Sequence, residues 1–305
     1  MRIKIVDKII RRFLDYKTYQ NDSQYFLKWK NWESVVSKWD KYASPFKLSG
    51  GDVRNYEAIL KRTTSKEKVL ILGATPEIRD LAAKMNLNVI VADFSLKMLK
   101  GMLDSAKYKA RYKEKWIIAD WLDLDRFLKN NYFDVILGDL VLRNIEPELQ
   151  SDFLDKISKL MTPEAFFITR IHFVNENLLN FDINNIIAEV FDKNFNLGNN
   201  FLEDLIASRL FDRNTDFKQH SINKISFAKN IYDYLKNFKR NKREEIVLNN
   251  VLRKWSGEMT WTQRTKKEIN DFLEKNFKIV NTETPLDYKD SEFYPIYTLK
   301  DNKNS

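Results

Sequence analysis

One glycine and three aspartates recur at the same kind of place in this 305-residue sequence. The run Val69-Leu70-Ile71-Leu72 ends in Gly73-Ala74-Thr75-Pro76-Glu77, Asn88–Ala92 ends in Asp93, Lys115–Ala119 in Asp120, and Phe133–Gly138 in Asp139. Each run is β-rich and nearly all apolar, as strands buried on both faces are. If the strands are parallel, the acids and the glycine turn share the C-terminal edge of the sheet, where open α/β sheets bind ligands. Asp93 follows Gly73 by about twenty residues, a position from which a carboxylate accepts both hydroxyls of a ribose. Each aspartate alone also reads as the cap of a following helix. Three on one edge, beside a glycine turn, point jointly to a ligand.

The turn discriminates between ligands. Gly73 permits a tight turn, Thr75 is suited to N-cap a helix, and Pro76 suits its first position. A pyrophosphate needs several glycines that bring backbone N–H groups onto it. Here only the first glycine is present, Pro76 removes an N–H, and Glu77 adds negative charge. Like charges 4 Å apart repel by ~4 kcal/mol at an effective dielectric of ~20. A dinucleotide is thereby disfavoured, whereas S-adenosylmethionine, with no phosphate and a cationic sulfonium and ammonium, suits an acidic turn.

The elements that must position these residues fall into three parts. Residues 1–62 read as a helical cap. Trp29, Trp32, Val36 and Trp39 share one helical face, Pro45 and Gly50–Gly51 break the helix, and Asp52 caps the next, near Val53–Leu60. Residues 63–173 alternate the strands above, and a fifth at Ala165–Arg170, with helices expected over Pro76–Met85, Ser95–Tyr108, Leu122–Asn130 and Pro147–Leu160. Such alternation argues for a doubly wound, mostly parallel α/β sheet. Residues 174–258 lose the strand signal and read as a helical insertion. Residues 259–300 return to the core, with a helix near Gln263–Asn276 and an antiparallel pair at Phe277–Glu283 and Phe293–Leu299.

These residues resemble the class I S-adenosylmethionine-dependent methyltransferases. The resemblance covers residues 66–171 and the C-terminal pair, and implies a Rossmann-like seven-stranded sheet with S-adenosyl-L-methionine as cofactor. Gly73, Thr75 and Glu77 would lie against its methionine part. "ADFSLKML" looks like the family's "VDxSxxML", which implies that Asp93 binds the ribose and that Phe94 and Met98 flank the adenosine. Asp120 would contact the adenine amino group, with Trp121 beside the ring. "FDVILGDLVLRNI" resembles the stretch leading to the transfer site, so Asp139, Leu140 and Asn144 are implied there. The sequence departs from the family's E/D-x-G-x-G-x-G motif, lacks an Asn/Asp-Pro-Pro-Tyr motif, and has no cysteine for covalent pyrimidine methylation.

In-line methyl transfer needs alignment and, for many acceptors, a base. His172, just past the fifth strand, is the natural candidate base, although a surface or packing histidine is the favoured reading on sequence alone. Asp139 is a second base or an orienting group, and Arg170 binds an anionic group or pairs with a nearby carboxylate. Two histidines and no cysteine argue against a metal site. Lys and Arg number 52 against 43 Asp and Glu, a net charge of +9, which attracts anionic partners but speaks first to solubility. Lys236, Lys239, Arg240, Lys242 and Arg243 around Phe238 form an RNA patch or a solvated helix face. The tryptophan stripe is core or a substrate box. The basic N-terminal stretch with Ile5, Ile9, Phe13 and Tyr16 packs on the domain or touches a membrane surface. No run is long enough to span a membrane, and a cytoplasmic location is expected. The leading expectation is methyl transfer to a small molecule. RNA methylation, a non-catalytic cofactor-sensing or partner-binding module, and a nicotinamide oxidoreductase follow in that order. Acceptor and oligomeric state are not set by the sequence.

Overall fold

The computed structural model describes residues 35–194, 196–222, 224–238, 241–255 and 261–302. Trp29, Trp32, the basic N-terminal stretch, Lys239 and Arg240 lie outside the described residues. Seven strands form one sheet: β1 (Val69–Leu72), β2 (Val89–Asp93), β3 (Glu114–Ile118), β4 (Phe133–Asp139), β5 (Met161–Arg170), β6 (Phe277–Glu283) and β7 (Ile296–Asp301). Their order is β3-β2-β1-β4-β5-β7-β6. The first five are parallel, β7 runs antiparallel to β5, and β6 antiparallel to β7. The order reverses between β1 and β4, so the crevice of an open α/β sheet opens at their C-terminal ends.

The helices are α1 (Gly50–Arg62), α2 (Pro76–Lys84), α3 (Leu96–Gly101), α4 (Gln150–Leu160), α5 (Ile183–Asn194), α6 (Asn199–Arg213), α7 (Lys224–Asn237), α8 (Lys242–Trp255) and α9 (Lys266–Leu273). Side chains of β1 alternate between two cores. Leu70 and Leu72 face Phe153, Ile157 and Ile269 of α4 and α9. Val69 and Ile71 belong to a larger core that also holds Trp39, Phe46 and Tyr56 of the cap and Leu205, Phe211 and Trp255 of the insertion. Cap, sheet and insertion thus share one apolar interior. Phe46 lies 4.2 Å from Trp255 and 5.3 Å from Trp261 between ring centroids, contacts worth about 0.5–1.5 kcal/mol each beyond the buried area.

Several expected elements are shorter or differently capped. The helix expected over Ser95–Tyr108 stops at Gly101, because the Asp80 carboxylate captures the N–H groups of Lys107 (2.9 Å) and Tyr108 (2.8 Å) and draws the chain back onto α2. Leu122–Asn130 forms a 3₁₀ turn over Trp121–Arg126 instead of an α-helix. Asp52 does not cap α1: Ser49 does, and Asp52 answers as the other half of a capping box, so Gly50 and Gly51 begin the helix instead of breaking one. Asp287, from the segment joining β6 and β7, also accepts from Ser49 Oγ (2.8 Å) and Gly51 N (2.6 Å). Trp39 sits in a 3₁₀ turn, Trp39–Lys41, where a continuous helix was expected. The insertion is helical but carries a two-residue ladder, Thr215–Asp216 with Ser221–Ile222.

Candidate active site at the C-terminal edge of the sheet

The glycine turn forms where the strand ladder runs out. Gly73 N donates to Ala92 O at 2.8 Å, and Gly73 adopts φ +92°, a conformation that L side chains avoid. Thr75 occupies the N-cap of α2 without a side-chain cap bond, and Pro76 opens the helix. Asp93 leans into this turn. It accepts from Ser95 N at 2.8 Å and from the Ala74 backbone N–H, and burial pushes its carboxyl up to about 7 against those two bonds. Asp120 accepts from Leu122 N at 2.9 Å, so it does cap the following turn while its residue remains half-exposed. The Trp121 indole donates to Ala92 O at 3.0 Å, and its ring lies 3.4 Å from where a Cβ on Gly73 would stand. Gly73, Asp93, Asp120 and Trp121 therefore converge. Phe94 is half-buried beside them, whereas Met98 packs into the large core under α3.

A second cluster surrounds the end of β4. Arg170 is fully buried and pairs with Asp139 through Nε (2.8 Å) and Nη2 (3.3 Å), and with Asp52 through Nη1 (3.1 Å). Burial opposes the guanidinium charge, but Asp139 and Asp52 outweigh it and hold the Arg170 pKa well above its ordinary value. Burial raises the Asp139 pKa, and Arg170 opposes the rise. The Tyr56 hydroxyl donates to Gly138 O (2.6 Å) and accepts from Arg170 N (2.8 Å). Leu140 turns the chain with φ +52°, and Asn144 Nδ2 donates to its carbonyl at 3.0 Å.

Glu77 connects the two clusters. It accepts from Trp39 Nε1 at 3.1 Å and lies 3.6 Å from Lys47 Nζ, so the cap covers the start of α2. Burial raises its pKa, with Lys47 and Trp39 among the groups pulling it back and Asp139 adding to the rise. Its Oε2 and the Oδ1 of Asp52 are buried acceptors with no hydrogen-bond partner. Asp52, Glu77, Asp93, Asp120 and Asp139 line this edge. Among the described residues only Lys47 and Arg170 form ion pairs with them.

His172 lies deeper. Its side chain is inaccessible, its Nε2 is 3.1 Å from Asp212 Oδ1 of α6, and its ring rests on Tyr294 at 4.6 Å. Burial lowers its pKa, Arg143 lowers it further, and Asp212 opposes them. Burial and Arg143 thus favour the neutral imidazole. Sequence reasoning missed Trp39 and Lys47 as partners of Glu77, Asp52 and Tyr56 as partners of Arg170, and Asp212 as the partner of His172. Only the short acid-bearing segment Gly50-Gly51-Asp52 carried a local signal, and that was read as a cap.

No protein-family model matches the sequence, and no curated protein matches it. Solved structures do match in fold. The CcbJ methyltransferase of Streptomyces caelestis aligns with a TM-score of 0.50 at 11% identity, covering 88% of this chain and 96% of that one. The fold is that of the class I methyltransferases. A protein of Rhodobacter sphaeroides assigned to the zinc-dependent alcohol dehydrogenases aligns at 0.55 with 14% identity, covering 90% and 98%. At such identities the likeness concerns the fold alone. Among the described residues no group of three or more His, Asp or Glu is placed to hold a metal ion, and no helix is long and apolar enough to cross a membrane. On this methyltransferase fold, the glycine turn and the ends of β2 and β3 form one half of the edge. The ends of β4 and β5 form the other.

Proposed function

We propose that this edge binds S-adenosylmethionine and that the protein transfers its methyl group to a small-molecule acceptor. One observation carries the reading: carboxylates outnumber the cations paired with them along the edge, and two buried carboxylate oxygens, on Glu77 and Asp52, lack a donor. A buried acceptor without a partner is costly. A cationic ligand with N–H donors relieves that cost, and a pyrophosphate aggravates it. Asp93 and Asp120 suit the ribose and adenine, Phe94 and Trp121 offer aromatic faces to the base, and Glu77 beside Gly73 and Thr75 suits the ammonium. Bound there, S-adenosylmethionine supplies an electrophilic methyl group on a sulfonium. The chain's own residues orient and deprotonate the acceptor. Asp139, Leu140 and Asn144 border the transfer position, with Arg170 fixing the Asp139 carboxylate. His172 is the candidate proton acceptor, held by Asp212 at 3.1 Å, and the insertion 174–258 acts as the lid that admits the acceptor.

A second reading is a cofactor-sensing module without catalysis. It is favoured by the enclosure of His172 and by the pairing of Asp139 with Arg170. Melting and calorimetry with S-adenosylmethionine, S-adenosylhomocysteine, NAD and NADP test the first reading. At a hundredfold excess over Kd the favoured ligand stabilises the fold by about 2.7 kcal/mol. Stabilisation by NAD(P) with no response to millimolar S-adenosylmethionine overturns it. Tight cofactor binding without turnover of any acceptor leaves the sensing module.

A further inference from the structure

Beyond the ends of β4 and β5 lies a small cavity. Its polar lining is Arg143, Gln150, Arg170, His172, Thr262 and Arg264, with no carboxylate among the described lining residues. Arg170 is already neutralised by Asp139 and Asp52. Arg143 is not so served. It is 4% exposed, and none of its Nε, Nη1 and Nη2 atoms makes a hydrogen bond of normal geometry. Its guanidinium lies against Trp261 at 4.3 Å and Phe46 at 5.6 Å. Burial opposes its charge, whereas the Tyr294 hydroxyl and Asp212 favour it. Asp212 accepts from Asn175 N through Oδ2 at 3.0 Å, while its Oδ1, 3.1 Å from His172 Nε2, makes no hydrogen bond of normal geometry. Arg264, on the same wall, gives Nε and Nη2 to Gln150 Oε1 at 3.2 Å each and bonds no carboxylate.

A guanidinium does not shed its proton in a protein, so Arg143 stays charged. A buried charge calls for a partner. Trp261 and Phe46 serve its face, and although Tyr294 and Asp212 favour its charge, the N–H groups along its edge make no hydrogen bond of normal geometry and can still take an acceptor. The group that matches that edge is planar and presents two oxygens. In this state the cavity has room for about one water molecule, so a larger ligand requires the neighbouring side chains to part.

We propose that this cavity receives a carboxylate of the methyl acceptor, gripped by Arg143 with Arg264 as a second donor. The proposal rests on the methyl-transfer reading for the acceptor's identity, but the anion site stands or falls by its own measurement. The probes are benzoate and, as the uncharged control, benzyl alcohol, followed by calorimetry and thermal melting of the full chain. Benzoate binds and raises the Tm, and benzyl alcohol does neither. Arg143→Met weakens benzoate about ten- to a hundredfold, the loss expected for hydrogen bonds to a charged group. Its Tm without ligand stays close to that of the wild type, because no hydrogen bond of Arg143 is lost; an arginine that served only to pack or to offset Asp212 would give a clearly lower Tm. Affinity for S-adenosylhomocysteine is unchanged in the variant. Absence of benzoate binding at millimolar concentration, or equal benzoate affinity in Arg143→Met, overturns the site and leaves water as the arginine's partner. If Arg143→Met does not fold, Arg264→Gln decides, and unchanged benzoate affinity there overturns the proposal. Benzoate binding without any S-adenosylhomocysteine binding upholds the anion site and removes the methyl-transfer reading instead.

Discussion

The two halves of the edge are built differently. The half at β1–β3 is local: Gly73, Asp93 and Asp120 each end a strand, and their bonds reach the next turn or the neighbouring strand, as from Asp93 to Ser95 and Asp120 to Leu122. The half at β4–β5 is assembled from afar. Arg170 meets Asp52 across 118 residues of sequence, and His172 meets Asp212 of the insertion. The local half can lose a side chain and keep its backbone. The assembled half is a buried charge network, and its members depend on one another.

The sharpest way to break this contrast is Arg170→Met. It leaves Asp139 and Asp52 buried without a cation, and loss of one partner from a buried pair costs about 3–5 kcal/mol. Denaturant unfolding reads it, and a loss below about 1 kcal/mol would show that the network does not hold the fold. Asp93→Ala tests the local half. It is expected to weaken S-adenosylhomocysteine by about 1.5–3 kcal/mol while the protein remains folded. Calorimetry showing wild-type affinity removes Asp93 from the cofactor site.

A pH experiment sharpens the same point. The carboxyl of Asp93 is raised to about 7 by burial, against an ordinary value near 4. Between these values the fold holds a proton that the unfolded chain has released. Stability from this group is therefore greatest near the lower value, falls as pH rises, and levels off above about 7. Asp204, also raised to about 7 by burial, adds a fall of the same sign. Asp93→Asn is expected to flatten the decline in Tm between pH 5 and pH 8 without abolishing it. An unchanged slope means that Asp93 titrates as an exposed acid. The smallest effect is expected at the seam between the halves. Trp39→Phe removes one bond to Glu77 and costs about 1 kcal/mol, read as a small drop in Tm with the cofactor affinity kept within a few fold.

What the sequence made legible follows this division. Runs such as Val69–Leu72 declare buried strands, and a strand end declares its edge, so the sheet, the glycine turn and the three aspartates were all readable. Where a side chain competes for backbone N–H groups, local pattern misleads: Asp80 ended the helix expected to reach Tyr108. Partners brought together only by tertiary packing left no periodic trace. Arg143 reads as one more charged residue in "VLRNI", and nothing near it in sequence says that Trp261 will cover it.

The bond from Asp287 to the start of α1 sets a clock on biosynthesis. The helix that carries Asp52 is capped by Ser49 and reinforced at its N-terminus by a carboxylate 236 residues further along the chain from Gly51. At 5–20 residues per second, a ribosome takes roughly 10–50 s to travel that far. During that interval the nascent chain can pair β1 to β5, yet the first turn of α1 has only its own capping box and lacks its outer acceptor. Sheet and helix start are completed only after the C-terminal strands emerge, so a chain still on the ribosome holds at most five of the seven strands and an α1 without its outer acceptor.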